Sequence, residues 1–275
     1  MIINKEMYSK EGSIITVKDI SKSEKFPGML SMTIVLNGKE LRTDHLEKEK
    51  LIKFINDQEV NKKVAELKER KKFLEENKIF KLYHFTNINN LESILKNGIL
   101  SKKELIKKDI IFIPSTIKPN RNSNDISLSI SHINFDLLNK LSNHNRIFNT
   151  IVLVTNTNPL IMVGTEFANN TSSYSRIEIT KDITKLFEGD RTYRDSNGLK
   201  HELPSFYPTN PNAEALVKEK IDPNDITEII VLHNTDEKIK KKINNLAFDY
   251  GKNFYLVKEY WPRCDQKGIK NSFFY

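Results

Sequence analysis

The sequence predicts an α+β fold, and three observations carry that prediction. Short apolar or alternating runs recur along the chain, as in Leu30–Leu36, Thr150–Thr155 and Ile226–Leu232. Between some of them, apolar residues repeat at three- and four-residue steps, the signature of amphipathic helices. No internal duplication orders these elements into a regular array. At 275 residues with 38% hydrophobic residues, the chain is long enough to bury a substantial core.

The elements follow in order. Residues 13–17 and 30–36 read as strands, and Asn37-Gly38 before residues 39–41 is a hairpin turn signal. From about 46 to 77, Leu51, Phe54, Ile55, Val60, Val64, Leu67 and Leu74 mark an amphipathic helical stretch, broken near Asp57. Its many charges are most simply a solvated face. Residues 1–78 thus form an N-terminal extension of hairpin and helix, and the composition then shifts to open a second domain, 79–275. There, residues 79–85 read as a strand, 88–97 as a helix opened by Asn87 and ended by Gly98, and 110–113 as another strand. A polar loop runs to Asp125, residues 126–131 alternate as a half-buried strand does, 135–141 are helical and 150–155 are a buried strand. Asn- and Thr-rich turns follow, then a helix or loop at 183–187 and a long polar stretch at 188–212, a length that usually signals function or disorder. Strands at 213–217, 226–232 and 253–257 complete the chain, with a helix at 237–249 between the last two.

Composition narrows the function classes. No apolar run is long enough to cross a bilayer, and the first residues lack the apolar core of an export signal, so a cytoplasmic protein is expected. Cys264 is the only cysteine, which excludes an internal disulfide and a cysteine-based metal knuckle. His132, His144, His201 and His233 are scattered without carboxylates at ligand spacing, so no metal is expected. The phosphate loop, the dinucleotide glycine fingerprint and the nucleophile elbow are all missing from the sequence. A formal charge of +8 permits a polyanionic partner; a lysine-rich coding bias gives the same balance.

Two segments carry the chemistry. Glu214 lies in the apolar run Ala213-Glu214-Ala215-Leu216-Val217, whose neighbours exclude water from one side. A carboxylate there can accept a ribose 2′-hydroxyl and stabilise positive charge as a glycosidic bond lengthens. Taken alone, it reads more simply as a strand-edge glutamate paired with a lysine. His84 ends an apolar strand and suits a hydrogen bond to a nucleotide ribose or carboxamide, or a satisfied core position. Arg121 sits in a polar loop, where its planar fork suits a diphosphate or a nucleobase; Arg146 and Arg176 are alternatives for that role.

In order along the chain, four pieces resemble the DarT family, bacterial toxins that ADP-ribosylate DNA bases using NAD: Tyr83-His84-Phe85-Thr86 with Asn90-Leu91 and residues 94–99; residues 117–121 ahead of a strand at 125–131; residues 151–154 with 167–171; and residues 213–217 with 221–230. The resemblance covers roughly residues 79–260. It departs from the family at 125–131, where an aromatic-rich segment is usual, and in the N-terminal extension.

The resemblance implies an ADP-ribosyltransferase fold, two packed antiparallel sheets with NAD as co-substrate in the cleft between them. His84 would anchor the NAD ribose or nicotinamide, Glu214 would bind the 2′-hydroxyl and assist attack by a base nitrogen, and Arg121 would contact the diphosphate or activate the acceptor. Thr86 and Asn90 would be further NAD contacts. The polar stretch before Glu214, with Arg191, Tyr193, Arg194, Phe206 and Tyr207, would present single-stranded DNA or RNA, since arginines hold phosphates and aromatics stack on bases. Family logic adds an antitoxin partner, a macrodomain-type hydrolase or a toxin-blocking protein, and a place in toxin–antitoxin or phage-defence systems. Two other classes fit the chain: a protein-directed ADP-ribosyltransferase, against which Asn212 counts because a Glu or Gln is common two residues before the catalytic glutamate, and a non-catalytic nucleic-acid-binding protein.

Overall fold

The computed structural model describes residues 2–8, 14–22, 24–25, 29–36, 39–46, 58–113, 125–133, 150–170, 177–194, 200–232 and 235–257. The chain divides into two compact units, Met1–Phe73 with Leu160–Gly164, and Leu74–Pro159 with Thr165–Tyr275.

The first unit contains a four-stranded antiparallel meander, β1 (Ile2–Tyr8), β2 (Ile14–Lys22), β3 (Leu30–Leu36) and β4 (Lys39–Leu46). Leu36 pairs with Lys39, so the strands of the expected hairpin meet; its Asn37-Gly38 turn lies outside the described residues. The strand expected at 13–17 is β2, paired with β3, and β1 is one strand more than the sequence predicts. Helix α1 (Gln58–Glu76) buries Val64, Leu67 and Leu74 along one face; the first part of the expected helical stretch, with Leu51, Phe54 and Ile55, lies outside the described residues. The Arg70 guanidinium donates to the Leu160 carbonyl at 2.7 Å, tying the short second segment of this unit to the helix.

In the second unit, β5 (Leu82–Asn87) leads into a short helix α2 (Leu91–Asn97) and β6 (Ile99–Leu100), followed by helix α3 (Lys102–Lys107). Gly98 between α2 and β6 has φ 86°, and a Cβ there would lie 2.2 Å from the Ile221 carbonyl oxygen, so both conformation and space demand glycine. The remaining strands are β7 (Ile126–Ile130), β8 (Thr150–Thr155), β9 (Glu166–Ala168), β10 (Ile179–Thr180), β11 (Thr192–Arg194), β12 (Lys200–Glu202), β13 (Glu214–Val217), β14 (Lys220–Ile221), β15 (Ile226–Leu232) and β16 (Asn253–Val257). Helix α4 (Glu237–Asp249) joins the last two, capped by the Asp236 carboxylate on the Lys238 and Ile239 amides.

Eight strands form one sheet in the order β10-β9-β13-β7-β5-β8-β15-β16, antiparallel except for the parallel pair β15 and β16. β8 is buried at every position, as its uninterrupted apolar run requires. Leu82, Leu128, Leu153, Phe167, Ala215, Ile229 and Val231 pack the core. The two sheets expected are therefore halves of one α+β ladder, joined between β5 and β7 by only two residue pairs, Leu82 with Ile130 and Tyr83 with Ser129. Beyond Tyr83, β5 stays paired with β8 down to Asn87 but has left β7. The halves diverge at His84.

Residues 110–113 are not a strand. Ile111 is 94% exposed and Ile113 39%, and among the described residues no strand pairs with them. The helix expected at 135–141 lies outside the described residues. Within 188–212, β11 and β12 pair antiparallel and residues 203–212 are tied by hydrogen bonds, while 195–199 lie outside the described residues.

Candidate active site

Glu214 opens β13, between β7 and β9, across from Ser129 on one side and Ala168 on the other. Its central place in the ladder, flanked by Ala213, Ala215 and Leu216, leaves the residue 3% exposed. A carboxylate so buried needs hydrogen-bond donors. One is Ser127, two residues along the same face of β7, whose hydroxyl donates to Oε2 at 3.2 Å.

Ser127 also connects to His84. Where β5 leaves β7, the His84 ring replaces the missing main-chain pairing, and its Nδ1 lies 3.0 Å from the Ser127 carbonyl oxygen. A carbonyl only accepts, so Nδ1 carries the proton. Burial pulls the His84 pKa below its usual value, partly countered by that hydrogen bond. The ring is then neutral near pH 7, and Nε2 presents a lone pair. Strand divergence thus brings His84 and Glu214, 130 residues apart in the chain (214 − 84), to the two sides of one serine.

Thr86 and Asn90, expected at NAD, hydrogen-bond one another and the start of the polar loop. The Asn90 carboxamide grips Ile113 as a second peptide would: Oδ1 accepts from the Ile113 amide at 2.9 Å and Nδ2 donates to its carbonyl at 2.8 Å. Nδ2 also donates to the Thr86 hydroxyl at 3.2 Å, and Thr86 is buried. Together they hold the chain where the polar loop begins. Arg121, Arg146 and Arg176 lie outside the described residues. At the far end of that loop, Asp125 takes an ion pair from Lys218 at 3.0 Å, and Lys218 also pairs with Glu166 at 2.7 Å.

The segment before Glu214 departs most from expectation. The Arg191 guanidinium donates to the carbonyls of Phe187 (3.2 Å), Pro204 (2.8 Å), Ser205 (3.4 Å) and Tyr207 (3.0 Å), and stacks 5.5 Å from the centre of the Phe187 ring. It braces the loop rather than facing a phosphate. Tyr207 is 5% exposed, packed at 4.8 Å on Phe206 and 5.1 Å on His132, so its ring is not a free stacking platform; Phe206 is half-buried. Tyr193 and Arg194 lie on β11, their backbones paired with His201 and Lys200 of β12. Sequence reasoning did not single out Ser127, hidden in an ordinary alternating strand, which the structure places between His84 and Glu214.

A buried strand carboxylate is joined through one serine to a neutral histidine at the point where the mixed sheet divides, and among the described residues no group of three or more metal-ligating side chains is gathered. A family model described as ssDNA thymidine ADP-ribosyltransferase, DarT, matches residues 83–254. The chain belongs to the DarT family, and the family's enzymes are NAD-dependent ADP-ribosyltransferases. Similar solved structures include Thermosipho africanus DarTG in complex with ADP-ribose (18% identity, TM-score 0.42, covering 65% of this chain and 49% of that one) and Thermus sp. 2.9 DarT in complex with NAD+ (13% identity, TM-score 0.43, 64% and 94%). Thermus sp. 2.9 DarT in complex with ADP-ribosylated ssDNA is a third (13% identity, TM-score 0.41, 64% and 93%). The match therefore spans about half the Thermosipho chain. No curated protein matches the sequence.

Proposed function

We propose that this chain transfers ADP-ribose from NAD to thymidine in single-stranded DNA, and that it acts as a toxin held in check by an antitoxin protein. The observation that carries the reading is the His84–Ser127–Glu214 line within a chain of the DarT family. NAD is the co-substrate. The Nε2 lone pair of His84 accepts a hydrogen bond from the ribose or the nicotinamide carboxamide. The Glu214 carboxylate accepts the ribose 2′-hydroxyl and offsets the positive charge that grows on the sugar as the bond to nicotinamide lengthens. Nicotinamide leaves with the bonding pair; a ring nitrogen of the base bonds to the sugar carbon and gives up its proton. Arg121, by its order in the family motif, contacts the diphosphate or the acceptor. Arg194, Tyr193 and Phe206 are assigned to the acceptor strand, with Arg191 and Tyr207 holding the loop before Glu214. Residues 1–78 are a separate structural extension on this reading, and Thr86 and Asn90 act on NAD through the loop they hold.

The test is incubation of the purified chain, and of Glu214→Gln, with labelled NAD and separate pools of single-stranded DNA, single-stranded RNA and protein. Label should enter DNA alone, and Glu214→Gln should lower the rate by about 100-fold or more, the scale of losing one electrostatic contact to a developing charge. Entry into RNA or protein would reassign the acceptor. Equal rates for both chains would remove Glu214 from the chemistry.

A further inference from the structure

His132 follows the last residue pair of the β7–β13 ladder, where the main-chain pairing of the two strands ends. Ser131, just before it, has φ 64°, a left-handed conformation that serine adopts at a cost, and its buried hydroxyl has no hydrogen-bond partner among the described residues. That unusual bend turns the His132 ring toward the chain that delivers Glu214. The ring is 7% exposed and lies against Tyr207. Nδ1 is 2.9 Å from the Ile130 carbonyl oxygen and Nε2 is 2.8 Å from the Pro211 carbonyl oxygen; a neutral ring carries a single N–H and can donate to one of them, taken as Nε2–H to Pro211. The first contact is local. The second crosses to the turn Asn210-Pro211-Asn212-Ala213, closed by the Ala213 amide on the Asn210 carbonyl at 3.0 Å and by the Asn212 amide on the Asn210 side chain at 2.9 Å. Proline at the second position suits such a turn. Glu214 is the next residue. A turn held at its proline carbonyl has little freedom to move the first residue of the strand it begins.

We propose that His132 is a positioning residue for the transfer reaction: through Nε2 and the Pro211 carbonyl it fixes the turn that sets the Glu214 carboxylate in place. The proposal rests on the reading of Glu214 as the group that meets the ribose. A loss of about 1 Å in the placement of such a group is enough to lower turnover by about 100-fold. His132 itself touches no substrate in this scheme.

Isosteric variants separate this role from packing. Glutamine carries an N–H where Nε2 stands, asparagine carries one where Nδ1 stands, and phenylalanine keeps a ring against Tyr207 with neither. Full-length His132→Gln, His132→Asn and His132→Phe are assayed with NAD and a thymidine-containing single-stranded oligonucleotide, with melting temperatures measured alongside. His132→Gln should keep kcat within about threefold of wild type, while His132→Asn and His132→Phe lose about 10- to 100-fold in kcat with the NAD KM nearly unchanged. Equal turnover for the glutamine and asparagine variants overturns the proposal, as does turnover that tracks melting temperature across the series. The glutamine and asparagine pair remains decisive if His132→Phe fails to fold. Glu214→Gln in parallel distinguishes the two failures: if it retains turnover, the site reading fails, and if it loses turnover while the His132 series is flat, only the positioning proposal fails.

Discussion

Ser127 occupies a position that neither charge nor periodicity marks, yet it is the contact shared by both residues of the site. Its hydroxyl orients one oxygen of a buried carboxylate and its carbonyl fixes the tautomer of His84. Only the hydroxyl can be removed by substitution, so Ser127→Ala isolates one half of the arrangement. A hydrogen bond to a charged group contributes about 1.5–3 kcal/mol, so kcat should fall by about 10- to 100-fold, with the NAD KM moved far less. Steady-state kinetics on the oligonucleotide acceptor check this; a KM effect with kcat intact would mean that the serine serves ground-state binding. His84 and Glu214 were singled out in the sequence by the order of motifs that resembles the DarT family, since either residue alone reads more simply as part of a strand. Ser127 was not, since alternating serines are what a half-buried strand contains anyway, and only the register of β7 against β13 gives one of them a partner.

At the scale of elements, the loop between β12 and β13 shows how polarity can mislead. The stretch 188–212 around it read as an acceptor-presenting surface, but Arg191 before β11 and His132 after β7 reach main-chain carbonyls of the loop, and the Tyr207 ring packs on His132 and Phe206. Arg191 holds Pro204, Ser205 and Tyr207, the Thr209 amide donates to the Leu186 carbonyl at 2.8 Å, and His132 holds Pro211. A guanidinium serving several carbonyls is replaced by nothing when truncated, and each abandoned buried carbonyl costs about 1–3 kcal/mol. Arg191→Ala should therefore accelerate proteolysis within residues 203–213 and lower NAD hydrolysis as well as DNA transfer. Arg194→Ala, on the hairpin, should lower DNA transfer while NAD hydrolysis persists. Limited proteolysis with both assays separates the two arginines, and identical behaviour would return Arg191 to the acceptor surface. Element type was legible wherever local pattern decides it, as for β8, β15 and α4. It failed at residues 110–113, where an apolar run looks the same whether or not a strand edge awaits it.

Across the whole molecule, buried titratable groups set how stability depends on pH. The order of the ladder that buries them was not legible, because strand neighbours such as β13 and β7 are chosen by long-range closure rather than by local pattern. His84 and His132 are both held below their usual pKa, in each case chiefly because burial disfavours the charged ring, with hydrogen bonds to carbonyls opposing the shift. Between the lowered folded values and the unfolded value of 6.5, the unfolded chain binds more protons than the folded one. Stability therefore rises with pH across that window and falls as pH drops through it, by up to about 1.4 kcal/mol per pH unit for each histidine. On the alkaline side Tyr83, buried in β5 and near Glu228, is pushed up from 10.0 to about 12, burial being the larger cause. Between those values the unfolded chain has lost a proton that the folded chain keeps, so stability falls as pH rises. Urea midpoints measured from pH 5 to 11 should trace a plateau between roughly 7 and 10 with a falling limb on each side. His132→Gln should flatten the acid limb and leave the alkaline limb in place; Tyr83→Phe should do the reverse. An acid limb of unchanged slope in His132→Gln would mean that the ring titrates normally in the folded chain.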